Sequence, residues 1–394
     1  MSSVQRLESD RLHLSLREKL PGYPWIKLLA HRIKSSRRLH TRSLTNKKIA
    51  STWNKDPNLS PPIDDFFDIV AGPIGDENGL GRSARYDLNH LNANGPQPTI
   101  VDTTKCDPDE LLRKIRNGSL APPRKLLLLG QPDTYARTLS YLPPDFIARS
   151  WRVGHLVWEM PYFPQEWKFL EAVLHCFRTP SKYSAAAITS GLNLPCEVTP
   201  HKVQLTEPSQ LSRAQIGLRE DAFVGLAIMD LRSCPARKNP MAHINAWKLA
   251  FGDDPNFKLL IKAQFTKTTL LTRSSILRRL GKNIQLIEGR LTDADISTLF
   301  RMSDVYLSLH RAEGFGLTIK EALEAGVPTI ATNWSAPAEY LNDYAHAFPL
   351  PYRMTPYRDM LRHYQSEGLY WAEADFVAAA NILKTLADAN VRAR

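Results

Sequence analysis

The stretch HRAEGFGLTIKEALEAGVPTIATN, residues 310–333, sets the fold. It starts at the end of an apolar run, VYLSLH (305–310), passes a turn at Gly314 and Gly316, and opens a helix near Leu317. A second apolar run, VPTIATN (327–333), follows. Strand, glycine turn, helix, strand is the repeating unit of a parallel sheet, and ligands of open parallel sheets bind outside the carboxyl ends of the strands. A helix N-terminus at that edge offers unpaired backbone N–H groups and partial positive charge, which suits a phosphate. Glu313 precedes the helix and Glu321 lies inside it, with seven residues between them. The first can reach a ligand hydroxyl at the turn, and the second can accept hydrogen bonds from a ribose diol. Surface acids on an ordinary helix are the plainer reading of either glutamate alone. The whole EGFGLTIKE string behind an apolar strand favours the site.

Working outward, the same alternation recurs twice. FFDIVAG (66–72), PTIVD (98–102), KLLLLG (125–130), VGHLVWE (153–159) and, more weakly, LHCFRTP (174–180) read as buried strands. RSARYDLNHLN (82–92), DTYARTLSYL (133–142) and SKYSAAAITSGL (181–192) read as helices between them. Residues 200–221 are polar and carry two prolines, as a linker would. The pattern then restarts with AFVGLAIMD (222–230), FKLLIKAQF (257–265) and IQLIEGR (284–290). Continuous apolar strands alternating with helices imply parallel sheets covered on both faces. The expected architecture is α/β, with two Rossmann-like domains whose sheets face across a cleft. Its parts are a basic extension (1–60), a first domain (61–200), a linker (201–221), a second domain (222–370) and a terminal helix (371–394).

A chain of 394 residues with 43% hydrophobic and 23% charged residues can bury two cores of ordinary domain size. The formal charge is +11, of which a net +9 falls in residues 1–50 and leaves +2 for the rest. A near-neutral body speaks against a nucleic-acid partner, which asks for a basic stripe on the folded domain. There is no run of about 18 apolar residues and no secretory leader, so no membrane-spanning helix is expected. The four cysteines (106, 176, 196, 234) are too few and scattered for a disulfide framework, and none forms C-x-x-C with histidines at zinc spacing. A structural zinc site is therefore not expected, and a reducing, cytoplasmic compartment fits best.

EGFGLTIKEALEAGVPTIAT resembles the E-x7-E signature of retaining, GT-B-fold glycosyltransferases of family 4 (glycosyltransferase group 1), of surface-polysaccharide type. GPIGDENGLGRSAR (72–85) is similar to the family's glycine-rich loop, RKNP (237–240) to the segment bringing basic residues to the donor pyrophosphate, and LLIKAQ (259–264) to the strand carrying a lysine there. The resemblance spans roughly residues 66–375. It implies a nucleotide-sugar donor held by Lys238, Lys262, Arg237, Gly314, Phe315, Gly316, Leu317, Thr318 and Glu321, and a glycine-rich loop of Gly79, Gly81 and Arg82. Glu313, His310 and Glu159, the last in WEMPYFP (158–164), are the candidate catalytic residues. Two cations and helix amides would stabilise the charge of a departing nucleoside diphosphate. The bland alternatives stay open: solvated basic side chains, a plain glycine turn, a strand-end histidine, and a structural Glu159 bonded to an arginine. Many family members carry Gly-Arg after the first strand of this domain. Here the strand reads VGLAIMD, so Arg237 or Arg232 would have to substitute, and Arg85 is expected to face solvent.

No metal and no cofactor is expected beyond the donor substrate. The two D-x-D strings, Asp107/Asp109 and Asp293/Asp295, sit where helices should begin, and acids are favoured there without a metal. Residues 24–38 form a basic amphipathic pattern, with Trp25, Ile26, Leu29 and Ile33 on one face and Lys27, His31, Lys34 and Arg38 on the other. Such a helix lies on an anionic membrane or packs on the first domain. The implied partners are a nucleotide-sugar, a glycan or lipid-linked acceptor, and an anionic membrane surface reached through residues 1–50. Competing readings are a GT-B-type phosphorylase, a sugar-nucleotide epimerase, which the E-x7-E string opposes, and a non-enzymatic binder of anionic surfaces or nucleic acid.

Overall fold

The computed structural model describes residues 46–76, 78–359, 363–364 and 368–393. The amphipathic pattern of residues 24–38 lies outside the described residues.

Two six-stranded sheets form the framework. The first contains β1 (Ile69–Gly72), β2 (Thr99–Asp102), β3 (Lys125–Leu129), β4 (Trp151–His155), β5 (Cys176–Thr179) and β6 (Cys196–Val198), in the order β2-β1-β3-β4-β5-β6. The second contains β7 (Phe223–Asp230), β8 (Phe257–Gln264), β9 (Ile284–Glu288), β10 (Val305–Ser308), β11 (Thr329–Thr332) and β12 (Ala347–Leu350), ordered β12-β11-β10-β7-β8-β9. Every pairing within these two sheets is parallel. The strand order reverses direction between β1 and β3 in one sheet and between β7 and β10 in the other, and crevices open at such points.

The apolar runs become the central strands because both faces of each sheet are covered. All five residues of KLLLL in β3 are buried, as are six of the eight residues of β7 and five of the eight in β8, and the helix Pro240–Phe251 adds a fully buried Trp247. The helix Gly79–Asn94 starts three residues before the sequence reading placed it, because Asn78 caps it by accepting from the Gly81 N–H. The acids of both D-x-D strings begin helices. Asp107 caps Pro108–Arg116, and Thr292 with Asp295 forms a capping box on Asp293–Arg301.

Three elements depart from the expectation. β6 and β12 are edge strands of three and four residues, whose short runs CEV and AFPL are broken by Glu197 and Pro349. Residues 371–374, expected to begin the terminal helix, instead belong to the strand Tyr370–Ala374, which pairs antiparallel with Tyr352–Pro356, and the helix is confined to Phe376–Ala393. Tyr370 and Trp371 explain the change, since aromatic side chains favour strands and Trp371 is buried against Tyr357. The segment 199–222 holds one short 3-10 turn, Ala214–Ile216. It is tied down at both ends: His201 bonds to Asp87 of the first domain, and the Arg213 guanidinium donates to the Met302 carbonyl of the second.

Candidate active site

A cleft of about 990 Å³ lies between the two sheets, bounded by the carboxyl ends of β7, β8 and β10 on one side and by the helix starting at Gly79 and the segment after β4 on the other. The sequence places its basic wall by punctuation. Pro235 and Pro240 each open a helix, and the chain between them breaks at Asn239, which takes a left-handed conformation (φ 52°). That break leaves Arg237 and Lys238 at the end of a one-turn helix facing the turn after β10.

Glu313 sits in this corner with its side chain largely buried, 12% exposed. Lys238 Nζ lies 2.6 Å from Oε1 and Arg237 Nη1 3.0 Å from Oε2. Burial alone would raise its pKa, but the guanidinium and ammonium, with a smaller contribution from His310, hold it down to about 2. Arg237 also reaches Glu159 of the first domain at 3.3 Å and donates to the Ala312 carbonyl at 2.9 Å. It is 3% exposed, so it serves as a strut between the two glutamates. The Glu313 N–H donates to Ser335 Oγ, which fixes the turn from the other side.

His310 is buried at the end of β10, with Nδ1 3.1 Å from the Ser308 carbonyl, and desolvation pushes its pKa down to about 4, so it is a neutral imidazole at pH 7. His243 holds the same strand end. Its Nε2 accepts from the Leu309 N–H at 3.0 Å and its pKa is likewise depressed by burial to about 4. Lys262, in β8 opposite Ile228, is 6% exposed, and among the described residues no hydrogen bond or ion pair to its ammonium is formed. Desolvation lowers its pKa to about 8, opposed by Asp230 and reinforced by Arg82 and Arg232. An unpaired, largely desolvated ammonium that reaches a cleft near a strand carboxyl end is a place for an anion.

The glycine turn performs two tasks. A Cβ on Gly314 would lie 2.7 Å from the Trp158 carbonyl oxygen, so the absent side chain lets this turn meet the WEMP segment of the first domain. Gly316 has φ 83° and immediately precedes the helix Leu317–Glu324, whose first N–H groups face the cleft.

Most of the residues anticipated from sequence line this one cleft: Glu159, Arg237, Lys238, Lys262, His310, Glu313, Gly314 to Thr318, Gly79 and Arg82. Gly81 and Glu321 do not. A Cβ on Gly81 would lie 1.9 Å from the Asp76 carbonyl, so this glycine serves the folding of its own loop. Glu321 is buried behind the wall, accepting from Arg82 Nη1 at 3.0 and 3.1 Å and from the Tyr86 hydroxyl at 2.8 Å. Arg82 bonds Asp293 as well, at 2.8 Å, and Arg85 approaches the same carboxylate at 3.4 Å instead of facing only solvent. Arg232 stands in the cleft beside Asp230 (2.7 Å), at the place where the sequence lacks Gly-Arg. The contributions of Ser83, Asp230, His201 and His243 were not read from sequence. Only the position of Asp230 at the end of a long apolar strand could have signalled one of them.

The architecture, two parallel α/β sheets facing across a cleft, is the GT-B fold of glycosyltransferases. The chain is similar in structure to sucrose-phosphate synthase from Thermosynechococcus elongatus (TM-score 0.57, 13% identity, 81% of this chain and 89% of that one). It is also similar to HepE from Anabaena, solved with UDP and glucose (0.56, 16%, 80% and 88%), and to a glycosyltransferase from Rickettsia africae (0.55, 13%, 82% and 89%). Residues 215–351 match the family glycosyl transferases group 1, and so the second domain is a glycosyl transferases group 1 domain. Over 64 residues, 15% of the chain, it is 39% identical to sucrose synthase 6 of Arabidopsis thaliana, and that match spans 7% of the relative's length.

Proposed function

We propose that the protein is a retaining, metal-independent hexosyltransferase. It moves a hexose such as mannose or rhamnose from a nucleotide-sugar to a growing cell-surface polysaccharide or lipid-linked oligosaccharide. The observation that carries this reading is Lys262, a lysine buried along its stem whose ammonium has no hydrogen bond or ion pair among the described residues, in the cleft that Lys238 and the N-terminus of Leu317–Glu324 also line. The matched domain and a HepE structure solved with UDP and glucose support a nucleoside diphosphate-sugar as the occupant.

In this reading the donor pyrophosphate lies between Lys262, Lys238 and the helix N–H groups, with Arg232 supplying the cation that Gly-Arg supplies elsewhere. The acceptor hydroxyl attacks the anomeric carbon from the face the diphosphate leaves. The bond between anomeric carbon and phosphate oxygen breaks with its electron pair on the diphosphate, whose oxygen takes the acceptor's proton. Glu313 stays ionised and keeps Lys238 and Arg237 aimed, while neutral His310 offers a ring to a sugar hydroxyl. Glu159, held by Arg237, borders the acceptor side.

The test is a thermal-shift series against GDP, UDP, dTDP and ADP, followed by nucleoside diphosphate release from the matching sugar donors. A ligand that binds only the folded state raises its apparent stability. One base should stabilise wild type and fail to stabilise Lys262→Ala. No stabilisation by any of the four, or equal stabilisation of the variant, overturns the site. Activity lost to EDTA and restored by Mg²⁺ or Mn²⁺ would overturn metal independence of the transfer. Association with the inner face of a cytoplasmic membrane through residues 1–50 belongs to the same proposal. It predicts flotation with anionic liposomes that is lost when those residues are deleted.

A further inference from the structure

Behind the first-domain wall of the donor cleft, which His201 and Ser83 line, lies a separate cluster of ligating side chains. Asp87 on the helix Gly79–Asn94, His155 at the end of β4 and His201 in the interdomain segment converge in the first domain. One ligating atom from each lies within 4.8 Å of the others. The His201 side chain is 0% exposed, that of His155 6% and that of Asp87 13%. Asp87 Oδ2 and His155 Nε2 face each other at 3.2 Å, and neither makes a hydrogen bond. Buried polar atoms are normally satisfied, so two orphans turned toward each other call for a third body. Two ligands of one tetrahedral zinc, each roughly 2.0–2.2 Å from the metal, stand roughly 3.3–3.5 Å apart.

We propose that Asp87, His155 and His201 bind a divalent transition metal of the zinc type. The donor set, two imidazoles and one carboxylate, suits zinc with a fourth position for water. His201 has the outer support that such ligands need. Its Nε2 lies 2.9 Å from Ser83 Oγ, which fixes the ring with Nδ1 directed at Asp87 Oδ1, 2.9 Å away in a hydrogen bond that the metal would replace. The charged groups nearby tolerate a cation. Arg178 is paired with Glu197 at 3.6 Å and donates to Thr199 Oγ1, and Lys202 is exposed. The second candidate cluster, Cys234, Asp359 and His363, is less suited, because Asp359 Oδ2 already accepts from the Tyr357 hydroxyl, the His363 N–H and the His363 ring.

The ligands come from positions 46 to 114 apart in the chain, and none is a cysteine, so no spacing motif betrays them. The metal would tie the helix carrying Arg82 and Ser83 to the sheet and to the interdomain segment. It would touch neither Lys238 nor Lys262, so the site is compatible with metal-free transfer chemistry. It also stands whether or not the transferase reading does.

The experiment uses tag-free full-length protein stripped with a chelator, equilibrated with ZnCl2, desalted and analysed for metal. Co²⁺ loading, followed by its visible spectrum, serves as the second readout. Wild type should retain about one zinc per chain, lose melting temperature when stripped, and show tetrahedral Co²⁺ absorption without a thiolate charge-transfer band. His155→Ala and Asp87→Asn should weaken zinc binding more than about tenfold, while His363→Ala should not change it. Asp87→Asn preserves shape and a hydrogen-bond acceptor for His201, so a folded variant is at hand if His155→Ala does not fold. Zinc absent from wild type, retained unchanged by folded Asp87→Asn, or lost only in His363→Ala overturns the proposal in favour of a metal-free Ser83–His201–Asp87 hydrogen-bond chain.

Discussion

Glu313 and Lys262 show how differently one cleft treats two charges. Glu313 has two cationic partners and its pKa falls from an ordinary 4.5 to about 2. A carboxylate whose pKa falls on folding adds stability that is fully present above the unfolded value and is lost as the pH drops through the folded one. Glu313→Gln should therefore lower stability by about 3 kcal/mol at pH 7, within the range for breaking a buried pair. Urea denaturation at a series of pH values should show the gap from wild type closing between about 4.5 and 2. A gap independent of pH would mean that the loss comes from packing. Lys262 has no such partner, and burial leaves its pKa at about 8. An anion binds its protonated form, so nucleoside diphosphate affinity should weaken as the pH rises through 8 to 9. Calorimetric titration should show that slope in wild type and not in Lys262→Ala.

At the level of elements, legibility followed burial. Runs such as KLLLL and FVGLAIMD declare themselves because both faces of a central strand are covered. CEV in β6 and AFPL in β12 do not, because an edge strand needs backbone partners on one side only, and a proline is tolerated there. The EGFG turn was legible as a site because its glycines fall between a strand and a helix. What the sequence could not display is that Gly314 is glycine for the sake of the other domain, whose Trp158 carbonyl occupies the space of a Cβ. The same holds for the pairings of Arg82 with Glu321 and of His201 with Asp87, which join residues 239 and 114 positions apart. Gly314→Ala should consequently push the turn from the WEMP segment. A loss of about 1–3 kcal/mol, the usual cost of overpacking, is expected with at least a tenfold fall in transfer rate. Chemical denaturation and steady-state rates check it, and wild-type values for both would place the domains farther apart than described.

On the scale of the whole molecule, the two domains are joined on both flanks of the cleft. On one flank, Ser181 and Ser184 donate to the Gly314 carbonyl, and the Lys182 and Tyr183 N–H groups donate to Glu339. On the other, Arg82 spans Glu321 and Asp293, with Tyr86 and Arg85 beside it. The first flank spreads its bonds over two serine hydroxyls, two backbone N–H groups and the Glu339 carboxylate, so the loss of one serine leaves the others in place. The second depends on one guanidinium. Burial already raises the pKa of Glu321, and Arg82 is the main influence opposing that rise. Removing it leaves a buried carboxylate with a tyrosine for company, which takes up a proton instead of holding the domains. Arg82→Ala should therefore speed amide hydrogen exchange in both helices that the bridge connects, Gly79–Asn94 and Leu317–Glu324. Exchange in the central strand Lys125–Leu129 should stay at its wild-type rate, because opening the cleft does not unfold a sheet. Faster exchange in that strand as well would assign the bridge to global stability, and unchanged exchange in both helices would leave the Ser181–Glu339 flank as the contact that keeps the cleft closed.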